Sequence, residues 1–346
     1  MMNFASVRRH IVAVAVVAAT FSAPAPARAD AVEDFYRGRS ISIVLVTTPG
    51  GPYDILARVV SRHIGAHIPG KPSVSVKNMP GGGGMVGANW LYNVAEKDGS
   101  IIGAMMNITP FEPAFGTDGV RYDPLKFTWL GSPDPETNFL TVWKTTPVDT
   151  IDDLRKTEIT VASSGPASSP AFYARLEMEV LKVKLKIIHG YPGQAEAFLA
   201  MENGEVNGYA SVSWSSLTAF KPNWVRDKSV KFLLQMGVRS RPEFPDVPNL
   251  TDLVTDPDDR ALVQAALALS DLPRPYALPP GVPGERAEAI KRAMRAMFAD
   301  PAFLADAKQA GLPIEAPQGA EDVQRIIDRV YNAPPKIIER LRKLKQ

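Results

Sequence analysis

The feature that most constrains this chain is a single stretch in which an apolar run, a glycine turn and an amphipathic segment follow without a break. Ile41 to Val46 is short, apolar and rich in β-branched residues, as in a strand covered on both faces. Pro49-Gly50-Gly51-Pro52 ends it. Ile55, Leu56, Val59, Val60 and Ile64 then recur at helical spacing up to His67, with Asp54 ahead of them as a cap or first-turn acid. A strand delivering a glycine turn onto a helix leaves backbone N–H groups unpaired at the C-terminal edge of a sheet, where an anion can accept them.

The pattern recurs. Ser73 to Val76 alternates like a second strand, and Asn78-Met79-Pro80 leads into Gly81-Gly82-Gly83-Gly84 and a helix over Met85–Val94. Gly82, Gly84 and Gly87 fit the dinucleotide-binding spacing, but no acidic residue closes a following strand where a ribose site needs one. The run is read as a turn that lets backbone approach a ligand closely. Ile101–Met106 is a third strand. Further on, Ile159–Ala162, the turn Ser163-Ser164-Gly165-Pro166-Ala167 and a helix capped by Ser168-Ser169-Pro170 copy the opening unit. Phe139–Trp143, Leu185–Ile188, Val206–Ser213 and Val230–Val238 complete the strands. The Pro273–Pro283 stretch is expected to hold neither helix nor central strand, because proline cannot donate to a ladder. From Glu285 onward the chain reads as helices, the last over Glu321–Lys345, forming a cap on the first domain.

The chain has 346 residues, 45% hydrophobic and 22% charged, suited to about two globular domains. Arg8, Arg9 and His10 precede an apolar run over Ile11–Phe21, and Ala27-Arg28-Ala29 offers a small-residue cleavage site, so residues 1–29 read as a secretory signal peptide. The arginine pair leaves the general and twin-arginine export routes both open. Three of the 39 basic residues lie in that leader, so the remainder carries about one net negative charge against 37 acids. Nucleic acid is therefore not the expected partner, and the basic Lys336–Lys345 segment reads as a solvated face. There is no cysteine, hence no disulfide framework and no lipoprotein anchor.

Other chemistry is weaker. His63 and His67 stand four apart, a metal-ligand spacing, but they suit the exposed C-terminal turn of their helix and no third ligand lies near in sequence. The serines of 163–169 lack a nucleophile-elbow pattern, and His189 has no acid partner in sequence. No metal and no cofactor are expected.

Across nearly the whole mature length the ordered motifs resemble the Bug-type (TctC-like) substrate-binding proteins of tripartite tricarboxylate transporters. The resemblance rests on Pro49-Gly50-Gly51 with Asp54, Asn78 with Pro80 to Gly84 and Gly87, Ala95 with Asp98-Gly99, and Tyr122-Asp123-Pro124. It continues through Ala162-Ser163-Ser164-Gly165, Gly190 to Gly193, Pro245-Asp246-Val247-Pro248 and the prolines of 279–283. It implies an α/β periplasmic binding protein of the type II-like Venus-flytrap kind, with two domains joined by two hinge crossings. The expected division is 30–132 plus 239–346 for the first domain and 133–238 for the second, hinging near Leu130–Pro133 and Leu234–Val238. The expected ligand is a small carboxylate caught in the cleft by Pro49, Gly50, Gly51, Tyr53, Asp54, Gly82, Gly83, Gly84, Ser163, Ser164, Gly165, Ser168, Ser169, Tyr191, Gly193, Asn207 and Trp214.

Three departures from the family pattern bear on that ligand. Pro52-Tyr53 replaces a small Ser-Thr pair, Tyr191-Pro192-Gly193 replaces Tyr-Lys-Gly, and Asn207 stands near a usual acid. An organic acid without a free amine fits these changes, and Tyr53 and Trp214 offer flat faces to an aromatic one. The expected protein is monomeric and periplasmic, and hands its ligand to integral-membrane permease subunits. A periplasmic sensor, and then a periplasmic hydrolase or lyase, are the rival classes.

Overall fold

In the computed structural model the described residues are 28–345 apart from Ala167 and Val238. The leader expected over 1–29 falls, but for its last two residues, outside them, as does Val238 at the end of the strand expected over Val230–Val238. Eleven strands are β1 (Ser40–Leu45), β2 (Ser73–Asn78), β3 (Ile101–Ala104), β4 (Thr128–Ser132), β5 (Asn138–Trp143), β6 (Ile159–Ala162), β7 (Leu185–Ile188), β8 (Gly208–Ser213), β9 (Val230–Met236), β10 (Tyr276–Leu278) and β11 (Gln318–Gly319).

They form two sheets, one per lobe. The first runs β11-β4-β10-β3-β1-β2 and the second β7-β6-β8-β5-β9. In the first, β1 lies parallel to β2 and β3, with Ile43 opposite both Val76 and Ile102. In the second, β6 lies parallel to β7 and β8, while β5 runs antiparallel to β8 and β9. Helices are the short route between parallel neighbours. The helix Pro52–His67 follows β1 and packs on β2, and Ser169–Leu181 follows β6 and packs on β8. The parallel strands therefore all end toward the turns that start these helices. The chain passes from the first sheet to the second between Ser132 and Asn138, and re-enters the first at Tyr276.

Two expectations are corrected here. The proline-rich stretch does hold a central strand: β10 lies between β4 and β3, antiparallel to both. None of its three residues is proline, so each keeps its N–H, and Pro275 contributes through its carbonyl, which accepts from the Met105 N–H at 2.9 Å. Tyr276 and Leu278 are buried in the core of the first lobe. The C-terminal segment is two helices, Ala320–Tyr331 and Pro335–Lys345, since Pro334 and Pro335 cannot continue the first.

The last helix does not only cap the first lobe. Its basic face is solvated in part and paired in part: Lys336 and Lys343 stay exposed, Lys336 bonding to Asp258, while the half-buried Arg340 bonds to Glu179 on the helix that follows β6 and to Asp259. Arg342 donates to the Ala114 carbonyl at 2.9 Å, in the loops after β3. Ile337, Leu341 and Leu344 bury into a core that also takes Leu176 and Leu181 of the second lobe. The helix thus ties the two lobes along one side. A helix not read from the sequence, Pro257–Asp271, joins them on the inside: Ser270 bonds to Asn138 and Tyr173, and its carbonyl accepts from Glu136 N–H.

Candidate functional site

The site is built from the helices that begin where parallel strands end. Four of them, starting after Gly51, Gly84, Ser168 and Gly193, have no side-chain cap on their first-turn N–H groups. Other helices are capped by side chains, with Thr150, Asn249, Asp256 and Asp300 accepting from first-turn amides, although those that start after Lys221, Pro283 and Gly319 are not. Ser168 has the right chemistry for a cap, but its Oγ bonds instead to the Gly165 carbonyl and Ser163 Oγ, at 2.7 and 2.8 Å. The donors it leaves open are those an anion would take.

Gly83, Ser168 and Ser169 face one another across a cavity of about 290 Å³ between the lobes, so the second glycine turn and the helix start that follows the serine turn border one space. Met106, Ile108, Phe115, Phe172 and Leu269 give it an apolar lining, and Asn107, Glu112 and Lys345 add polar groups. Gly82, Gly83 and Gly84 sit at φ +54°, +65° and +96°, the left-handed region that glycine alone enters without strain. A Cβ on Gly84 would lie 3.0 Å from Val46 Cγ2. Ser163 is buried and holds the turn together, its Oγ bonding to Gly165 and to His189 Nδ1 at 3.2 Å. Ser164 stays exposed, with Gly165 half-buried beside it. Tyr191 and Gly193 lie beside this turn, the Tyr191 N–H donating to the Ser163 carbonyl at 3.3 Å.

The Pro49-Gly50-Gly51 turn does not line that cavity; it meets it at one remove. Tyr53, in the first turn of its helix, accepts at Oη from the Asn107 N–H at 3.4 Å, and Asn107 lines the cavity while bonding to the Leu269 carbonyl at 3.2 Å. Asp54, expected as a cap or first-turn acid, is the first-turn acid and not the cap. The cap position is Gly51, and the buried Asp54 carboxylate accepts from the Gly50 N–H, Arg58 and Asn78 at about 3.0 Å. Arg58 first, then Asn78 and Gly50, hold its pKa down to about 2 against burial. That carboxylate also occupies the Gly50 amide, which is therefore not open to a ligand.

Asn207 is removed from the site. It lies at the start of β8, where its Oδ1 accepts from Thr160 N–H and Oγ1 at 2.8 and 2.9 Å. Thr160 is at the opposite end of β6 from the Ser163 turn, so Asn207 braces the base of the sheet. Trp214 lies in a second, tighter compartment of about 80 Å³ beside the chain crossings, with Leu56, Glu136, Ser215 and Arg274. Its ring packs on Phe139 and Phe244, and Arg241 lies 5.1 Å above it. The helix that starts at Trp214 is capped by Ser213, and Glu136 accepts from Ser215 N–H and Oγ at 3.1 and 2.7 Å, so its N-terminus is filled.

Residues missed from the sequence are Asn107, Glu112, Leu269, Arg274 and Lys345. Arg274 left a faint signal, a lone charge between Pro273 and Pro275 in an apolar run. Lys345, near the end of the sequence, left none: only the fold brings it to Thr117, whose Oγ1 it contacts at 2.9 Å. Burial pushes the Lys345 pKa down and the Glu112 pKa up, which moves both toward their neutral forms. His63 and His67 pair with Asp306 and Asp300 at 2.9 and 3.0 Å and are half-buried, not exposed. No cluster of three metal-ligating side chains occurs among the described residues.

No protein-family profile matches the chain, and no curated protein compared with it is similar. Solved structures are similar. A TctC solute-binding protein from Polaromonas superposes with a TM-score of 0.69 at 18% identity, covering 89% of this chain and 98% of that one. This chain has the fold of the TctC and Bug-type binding proteins. The periplasmic binding protein BugD gives 0.60 at 21% identity over 89% of this chain and 98% of its own. An R. palustris protein with adipate gives 0.61 at 18% identity over 89% and 97%. Two lobes around a shared crevice are thus the common architecture, while at these identities the ligand has to be argued from this chain's own residues.

Proposed function

We propose that this protein is a periplasmic solute-binding receptor that closes on a small carboxylate and delivers it to a membrane permease of the tripartite tricarboxylate kind. The observation that carries the reading is the cavity between Gly83 and Ser168–Ser169, onto which helix N-termini without side-chain caps open. Backbone N–H groups there can donate to a carboxylate with no reactive side chain, which suits reversible capture. The apolar lining from Met106, Ile108, Phe115, Phe172 and Leu269 favours an acid with a carbon body and no free amine. The adipate held by the R. palustris protein of this fold agrees with that class. Against an enzyme stands the chemistry of the serines: Ser163 Oγ reaches His189, yet Ser163 is fully buried and committed to its own turn.

The permease partnership and the periplasmic address rest on the leader-like first 29 residues and on the fold's company. Thermal shift across a panel of carboxylic acids and amino acids tests the binding step. A ligand that binds only the folded state at 100 times its Kd adds about 2.7 kcal/mol, several degrees in Tm. The expected outcome is a rise with one class of amine-free acids; a rise with amino acids alone, or turnover of the bound acid, contradicts the reading.

A further inference from the structure

We infer that the cavity binds its acid together with a proton, and that Glu112, in the cavity wall, is the group that holds this proton; this rests on the carboxylate reading above. Of the residues lining the cavity, Glu112 and Lys345 are the ones with an acidic or basic side chain. Glu112 is 5% exposed, in the loops after β3, and Lys345 is half-buried on the C-terminal helix.

The place of the proton follows from one hydroxyl. The buried Tyr122 Oη lies 2.9 Å from the Thr109 carbonyl oxygen and 3.0 Å from Glu112 Oε2. Tyrosine has one proton to give and a carbonyl can only accept, so that proton goes to Thr109. The contact with Glu112 is then a hydrogen bond when Glu112 itself carries a proton and donates it to Oη. Burial favours the same protonated form and outweighs the opposing pull of Tyr122 and Lys345.

The other polar groups around Glu112 have partners of their own. Lys345 Nζ contacts Thr117 Oγ1 at 2.9 Å and lies 5.5 Å from the centre of the Phe115 ring. Tyr331, on the helix Ala320–Tyr331 packed against this segment, donates to the Pro110 carbonyl at 3.1 Å, with Asp123 beyond it. Arg342 donates to the Ala114 carbonyl, and Arg175 to the Pro166 and Leu344 carbonyls. Among the described residues, Tyr122 is the one side chain that bonds to the Glu112 carboxyl.

An ionised Glu112 would add a negative charge to the space that receives a carboxylate and would offset Lys345. A protonated Glu112 leaves the lysine unopposed. Proton and ligand therefore favour each other's binding by one common factor. The proton comes from solvent on capture and returns to it on release.

Isothermal titration of the mature chain with the amine-free acids of the thermal-shift panel, adipate and hexanoate among them, tests this from about pH 6 to 9, where these acids carry almost no proton of their own. The wild-type Kd is expected to rise with pH, by up to about tenfold per pH unit for one linked proton, and the heat to differ between phosphate and Tris buffers by the proton taken up. Glu112→Gln keeps the shape and neutrality of the protonated acid, so it should still bind, with neither the slope nor the buffer dependence. Wild-type binding without proton uptake, an unchanged slope in Glu112→Gln, or no binding by Glu112→Gln each overturns this inference and leaves the carboxylate reading standing. A panel in which no acid binds overturns both.

Discussion

Asp54 shows how one side chain can shape a binding turn through its own protein partners. Its carboxylate is held by Arg58, Asn78 and the Gly50 N–H, and its pKa falls to about 2. A folded-state value below the ordinary one of about 3.9 means that the stabilisation is complete above that ordinary value and is lost as pH falls through about 2. Asp54→Asn should therefore cost about 2 kcal/mol at pH 7, read as a lower denaturant midpoint with an unchanged slope, and less toward pH 2. Asp271 behaves in the opposite sense. Burial raises it to about 7 despite Arg329. The folded state then holds a proton more tightly than the unfolded chain, so this group's contribution falls as pH rises from about 4 to about 7. Asp271→Asn should flatten that part of the stability profile in chemical denaturation at stepped pH; an unchanged slope would contradict the buried titration.

Among the elements, the helix starts matter most. Ser168 could cap its helix but bonds within its own turn, and the first-turn amides stay open on the cavity. Ser168→Asp would place a carboxylate where the ligand's should lie. Acid binding is expected to weaken at least tenfold by titration calorimetry, with Tm held or raised because an acid at a helix N-terminus is stabilising by about 0.3–1 kcal/mol. Gly84→Ala is expected to lower stability by about 1–3 kcal/mol, since its φ of +96° disfavours any side chain and Val46 leaves no room. These turns were legible in the sequence because glycine, proline and serine punctuate apolar runs of strand length. The strand β10 was not, because three residues between prolines carry too little pattern and its place is set by Ala104 and Gly131 on either side. Asn207 misled for a related reason: a residue's place along the chain does not say which end of the sheet it occupies. Nor can local pattern reveal Glu112, Asn107 or Lys345 as neighbours of a cavity assembled from segments far apart in sequence.

At the scale of the whole molecule, two sheets meet through two chain crossings, the helix Pro257–Asp271 and the C-terminal helix. The last ties Glu179 of one lobe to the Ala114 loop of the other through Arg340 and Arg342. Closure over a ligand would then pivot on that side, and X-ray scattering should report a smaller radius of gyration with a saturating acid than without. The most direct measurement of the central claim is a crystal structure of the protein with its acid bound. The account predicts a carboxylate oxygen about 2.7–3.2 Å from backbone N–H groups of the Gly83 turn or of the helix starting at Ser169. An acid bound elsewhere, or gripped in the cleft only by side chains, would contradict it.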